Sequence, residues 1–159
     1  AAGDPLGFDQ AAVAISGHAI ECRINAEDSL RGFAPQSGVI SSYLVPGGPG
    51  IRVDSHLFSG YVMPPYYDSL LAKVIAWGND RREAIARMRR ALEEFRITGV
   101  TTNIPFHLQL LANRQFLDGR FDTEFVERLL AGWNGEALDA GDMLVSATGG
   151  TGRRGDVSG

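Results

Sequence analysis

His18-Ala19-Ile20-Glu21-Cys22-Arg23-Ile24-Asn25 alternates with a period of two. A β-strand through it sets Glu21, Arg23 and Asn25 on one face and Ile20, Cys22 and Ile24 on the other. The first face thus carries a carboxylate, a guanidinium and an amide. A guanidinium stays protonated and presents a planar fork of donors, so it suits the grip of an oxyanion through two hydrogen bonds. Chemistry mounted on a strand is held more stiffly than chemistry on a loop. The competing reading is an edge strand with a solvated outer face, where Arg23 makes a structural ion pair with Glu21 or Asp68. Cys22 falls on the inward side and reads as a small core residue, not a nucleophile. A lone cysteine rules out an internal disulfide and suits a reducing compartment, hence the cytoplasm. His18, His56 and His107 sit in unlike surroundings without metal-ligand spacing, so they read as structural and no metal site is expected.

Elements on either side must position that face. Residues 17–25 form the first expected strand, 26–38 are turn-rich, and the β-branched and aromatic run 39–45 predicts a second strand. Pro46-Gly47-Gly48-Pro49-Gly50 breaks it, after which Ile51-Arg52-Val53-Asp54 resumes the alternation. Residues 69–77 predict another strand, ended by Gly78-Asn79-Asp80. Asp80 then begins a helix, because Ala84, Ile85, Met88, Ala91, Leu92 and Phe95 recur every three or four residues. Its arginine-rich opposite side is interrupted by Glu83, Glu93 and Glu94, which marks a solvated face. Asn103 is placed to cap a second helix with Pro105 in its first turn, and Asp122 or Thr123 starts a third that ends near Gly132. Tyr66 and Tyr67 read as core aromatics whose hydroxyls find a partner. The fold class expected is α+β, with short, mainly antiparallel strands packed against about three helices.

The chain has 159 residues, 44% of them hydrophobic and 21% charged, with a net charge of -4. That is enough for one domain with a core. No apolar run is long enough to cross a bilayer, and the mixed charge gives no footprint for nucleic acid, so neither membrane nor nucleic acid is an expected partner. Residues 1–16 read as a connection entering the domain, with no basic-then-apolar leader, and 17–132 as the domain itself. Residues 133–159, rich in Gly, Ser, Asp and Arg without periodicity, read as a flexible tail. Thr148-Gly149-Gly150-Thr151-Gly152 lacks the Gly-Lys-Ser/Thr ending of a phosphate loop, and Arg154-Gly155-Asp156 reads as a chance match to an adhesion motif.

Four multi-residue segments occur in a fixed order: residues 17–28, the Pro46–Gly50 turn with Ile51-Arg52-Val53-Asp54-Ser55, then Pro64-Pro65-Tyr66-Tyr67-Asp68-Ser69, then Gly99-Val100-Thr101-Thr102-Asn103-Ile104-Pro105-Phe106. Together they closely resemble the C-terminal domain of biotin carboxylase, the ATP-dependent component of acetyl-CoA and related acyl-CoA carboxylases. Arg23-Ile24-Asn25-Ala26-Glu27-Asp28 looks more like the acyl-CoA carboxylase form than the pyruvate carboxylase form. Ser29, and Gln36-Ser37, depart from the family's usual turn residues.

The resemblance implies a lobe of an enzyme that uses ATP, Mg²⁺ and bicarbonate to carboxylate biotin carried on a carrier protein or domain, as in fatty acid biosynthesis. ATP and Mg²⁺ would be bound mainly by N-terminal and ATP-grasp domains of the same polypeptide, so this chain alone would be inactive. Arg23 matches the family's catalytic arginine, which stabilises bicarbonate and the biotin enolate. Asp68 would orient Arg23, with Glu21 beside it, and Arg52 matches a position at the interface of a homodimer. A carboxyltransferase would be the downstream partner. The alternatives are a non-catalytic dimerisation or docking module, and the equivalent lobe of pyruvate carboxylase.

Overall fold

The computed structural model describes residues 2–66 and 68–132. In chain order these form β1 (His18–Asn25), β2 (Glu27–Asp28), β3 (Ala34–Pro35), β4 (Gly38–Val39), β5 (Ser42–Leu44), β6 (Ile51–Ser55), β7 (Val62–Met63) and β8 (Leu70–Gly78). There follow α1 (Arg81–Glu94), β9 (Arg96–Thr98), α2 (Ile104–Ala112), α3 (Arg114–Leu117) and α4 (Phe125–Ala131). The fold is α+β, every paired strand is antiparallel, and the sequence-based class stands. Trp133 to Gly159, including the expected flexible tail and the Arg154-Gly155-Asp156 triplet, lies outside the described residues, as does Tyr67.

The principal sheet has the order β1-β8-β6. β8 lies in the middle because Leu71, Ala72, Val74 and Ala76 are apolar enough to be buried between two neighbours. α1 covers one face of the sheet. Its Ile85, Met88, Ala91 and Leu92 are buried against Cys22, Ile24, Ala72, Val74 and Ala76, and Ala84 is buried as well. Burying an aliphatic side chain of the size of Ile24 or Leu92 stabilises by roughly 1.5–3 kcal/mol relative to exposure. The inward half of β1 is thereby anchored to the core, and the outward half faces away from α1. The start of α1 is fixed by two bonds: Asp80 Oδ1 accepts from Glu83 N at 2.8 Å, and Glu83 Oε2 reaches back to accept from Asn79 N, one residue before the cap, at 2.6 Å.

A second cluster, Ala26, Ile40, Leu57, Met63 and Leu71, lies under the small sheets. Here the expected single strand over 39–45 is corrected. Gly38 and Val39 pair with β7, whereas Ser42 to Leu44 pair with β9, so the chain changes partner at Ile40-Ser41. Ile40 N donates to Tyr61 O at 2.8 Å and Ser41 N to Thr98 O at 2.9 Å, which marks the crossover. Ile40 is fully buried at that point, so core filling fixes the exchange. The 2–16 segment holds one 3-10 turn (Gln10–Ala12) and no buried residue. Asp122 Oδ1 accepts from Glu124 N at the entry to α4, in line with the expected third helix, while α3 is an additional short turn of helix.

Candidate functional site

With α1 on one face, the other face of the principal sheet carries polar residues around Ile75 and Trp77. Register places Glu21, Ile75 and Arg52 in one row across it, and Arg23, Lys73 and Asp54 in the next. Arg52 and Asp54 pair closely, with Nη2 to Oδ2 at 2.8 Å and Nε to Oδ1 at 3.1 Å. The hydrogen bond from Arg52, then Arg52 and Lys73 charge, holds the Asp54 carboxyl below the usual carboxylate range.

Arg23 is held differently. Its side chain is 56% exposed, and Asp68, itself 69% exposed, brings Oδ2 only to 4.0 Å from Nη2. Asp68 uses Oδ1 to accept from Leu70 N at 3.0 Å, an arrangement that shapes the entry to β8. An ion pair this long and this solvated fixes a guanidinium weakly. Arg23 therefore keeps donor capacity toward an incoming anion. On the inward side Cys22 is a free, buried thiol, which burial and then Glu21 push up to about 12, so it offers no thiolate.

The backbone under Arg23 is fixed from below β1. Asn103 stands at the N-cap position of α2 but makes no side-chain cap hydrogen bond, which corrects the capping role expected from sequence. Its amide acts at long range: Oδ1 accepts from Asn25 N at 2.9 Å, and Nδ2 donates to Arg23 O at 3.1 Å. Asn103 N also donates to Asn25 O at 3.2 Å, and His107 Nε2 donates to Arg23 O at 3.0 Å. A ring nitrogen facing a carbonyl must carry a proton, so the neutral ring is the Nε2-H tautomer. Burial lowers the His107 pKa from its usual value, against an opposing pull from the Arg23 carbonyl and the Glu27 charge. The sequence offered a faint signal of this. Phe106 stands where a Glu or Gln would complete a capping box, which leaves Asn103 without a reciprocal local partner.

Between Ile24 and Asn25 the ladder to β8 slips by one residue, with Leu71 of β8 left over. Glu21 and Arg23 are exposed as expected, but Asn25 is half-buried, with Nδ2 donating to Glu27 Oε1 at 3.0 Å, which also accepts from Ser69 Oγ at 2.5 Å. Tyr66 is 89% exposed, which overturns its expected core role; it follows Pro64-Pro65 in a turn on the surface. Next to it an open depression of about 320 Å³ is lined by His56, Tyr61, Met63, Pro64, Asp68 and Leu70. The guanidinium of Arg23 and this partly apolar hollow thus share Asp68 as a neighbour. The three histidines are dispersed: His18 meets Arg81, His56 stacks edge-on with Tyr61, and His107 bonds to β1.

This arrangement has close relatives. The chain is 54% identical over 129 residues to a biotin carboxylase of Nostoc sp., covering 81% of this chain and 29% of that protein. It is 55% identical over 127 residues to biotin carboxylase 1 of Bacillus subtilis, covering 80% of this chain and 28% of that one. Among solved structures, the biotin carboxylase domain dimer of Hydrogenobacter thermophilus 2-oxoglutarate carboxylase, in complex with magnesium ADP and bicarbonate, superposes with a TM-score of 0.78 at 45% identity. That match covers 81% of this chain and 29% of the other. The chain spans less than a third of the length of the curated relatives it matches. The sequence model of the biotin carboxylase C-terminal domain matches residues 21–128, from the carboxylate beside Arg23 to the middle of α4, and the chain belongs to that family.

Proposed function

We propose that the chain is the C-terminal lobe of a biotin carboxylase, a ligase that carboxylates biotin from bicarbonate with hydrolysis of ATP, and that Arg23 is its catalytic residue. The observation that carries this reading is a guanidinium on an exposed sheet face whose backbone is pinned while its side chain is only loosely paired. Such a group binds an oxyanion with little rearrangement, and donors fixed in advance contribute most where charge develops. Asp68 biases the guanidinium electrostatically, and Glu21 lies one step along the same face. ATP with Mg²⁺ would supply the phosphoryl group that activates bicarbonate. Mg²⁺ would be held mainly by the ATP-grasp domain.

The remaining parts of the proposal follow from that role. N-terminal and ATP-grasp domains would complete the site, a biotin carboxyl carrier would deliver biotin, and a carboxyltransferase would select the acceptor, acyl-CoA or pyruvate. Arg52, on the sheet face beside Asp54, would serve a homodimer interface of the kind named for the Hydrogenobacter domain. No helix of the described residues is long and apolar enough to cross a membrane, and the buried lone thiol of Cys22 suits the cytoplasm.

The test is a hybrid in which this chain replaces the corresponding segment of the Nostoc biotin carboxylase, assayed for bicarbonate- and biotin-dependent ATP hydrolysis. The hybrid should turn over, the chain alone should not, and Arg23→Ala should lower kcat roughly a hundred- to a thousandfold. A hybrid carrying Arg23→Ala that turns over near the unsubstituted rate sinks the assignment and favours a docking module.

A further inference from the structure

We propose that Asn103 and His107 are positioning residues for Arg23, acting as a surrogate strand on the free edge of β1. This rests on the reading of Arg23 given above and names the device that keeps its site in register. β1 is an edge strand of the β1-β8-β6 sheet, and its ladder to β8 slips by one residue between Ile24 and Asn25, where Leu71 of β8 is left without a partner. A slip of the ladder weakens pairing locally, so this stretch of β1 needs support from its other side. The structure meets this with a side-chain amide. Asn103 presents C=O to Asn25 N at 2.9 Å and N–H to Arg23 O at 3.1 Å, the same donor and acceptor pair that one residue of an adjoining strand would offer. His107, one helical turn on, gives the Arg23 carbonyl a second donor at 3.0 Å, so both lone pairs of that oxygen are engaged.

These bonds join residues 78 to 84 positions apart, and Asn103 is 6% exposed. A buried polar side chain whose two amide atoms both meet β1 backbone does not serve its own helix. It fixes the height and twist of the Arg23 Cα relative to the sheet, and a displacement of about 1 Å at a reacting group costs up to roughly a hundredfold in rate.

Asn103→Asp keeps the shape but sets an oxygen against the Arg23 carbonyl where a donor stood. In the hybrid enzyme it should lower kcat at least about tenfold while the KM for ATP stays within about twofold. In the 159-residue chain Asn103→Leu, which removes the Oδ1 acceptor as well, should let the Asn25 amide exchange its hydrogen at least about tenfold faster. His107→Gln, which restores a donor, should retain most of the kcat that His107→Leu loses. Asn103→Asp and His107→Leu hybrids with unaltered kcat below their melting temperatures, beside an inactive Arg23→Ala, would overturn the proposal and leave Arg23 standing. An active Arg23→Ala would instead remove the reading beneath it.

Discussion

On the proposed role, Arg23 would meet an anion without having been neutralised in advance. Its closest carboxylate stops at 4.0 Å, and both partners are more than half exposed. Exposed pairs of this kind are worth roughly 0.2–1 kcal/mol. Replacing Asp68 with Asn should therefore lower the kcat of the assembled enzyme by no more than about fivefold, with a loss that shrinks as salt rises. A loss on the scale expected for Arg23→Ala would show that Asp68 grips the guanidinium during turnover. Arg52 behaves in the opposite manner, with its donors committed to Asp54. Two arginines on one sheet face thus differ in what they have left to offer.

At the scale of elements, the crossing of β4, β5 and β9 depends on a glycine. Gly99 has φ +101, and a Cβ there would run into the Val39 carbonyl oxygen. Gly99→Ala combines left-handed strain with a clash against backbone, and should destabilise by about 2–3 kcal/mol, read as a lower midpoint in urea with unchanged slope. A variant as stable as the parent would mean the crossing relaxes. How much of this was legible varies with the range of the contact that decides it. α1 was readable because its apolar spacing and its Asp80 cap are local, and β1 because alternation is local. The division of 39–45 was not, since Ile40 and Ser41 take partners at Tyr61 and Thr98 that no window around them contains. Asn103 was misread for the same reason: its type and position fit a cap, but a carbonyl and an amide 78 to 80 residues away compete successfully for its side chain. Arg23 itself was visible, while the structure under it was not.

For the molecule as a whole, the pH response of stability should come in two windows. His107 has its pKa lowered in the fold by burial, so between its ordinary value of about 6.5 and that lowered value the unfolded chain binds the extra proton. Stability contributed by the neutral ring is fully present above about pH 6.5 and is lost as pH falls toward the folded value. Glu27, whose charge favours protonation, moderates the slope. His107→Gln should flatten that part of a stability-against-pH curve, and an identical slope in both proteins would contradict it. Asp54, Asp118 and Asp122 are lowered by hydrogen bonds from Arg52, Arg120 and Arg128. Their contribution is present above the usual carboxylate range and is lost only in stronger acid, as pH falls through their folded values.

The strand order has a temporal consequence. β1 and β6 share no ladder; each pairs with β8, which is synthesised after both. A nascent chain that has left the ribosome as far as Ser55 holds two outer strands and nothing to join them, and the fastening of Arg23 waits further, for Asn103 and His107. Fastening β1 must therefore close loops of roughly forty-five to eighty residues, to β8 and then to α2. Until then the edge of β1 that carries Arg23 is bare, and a chaperone holding β1 would find it open.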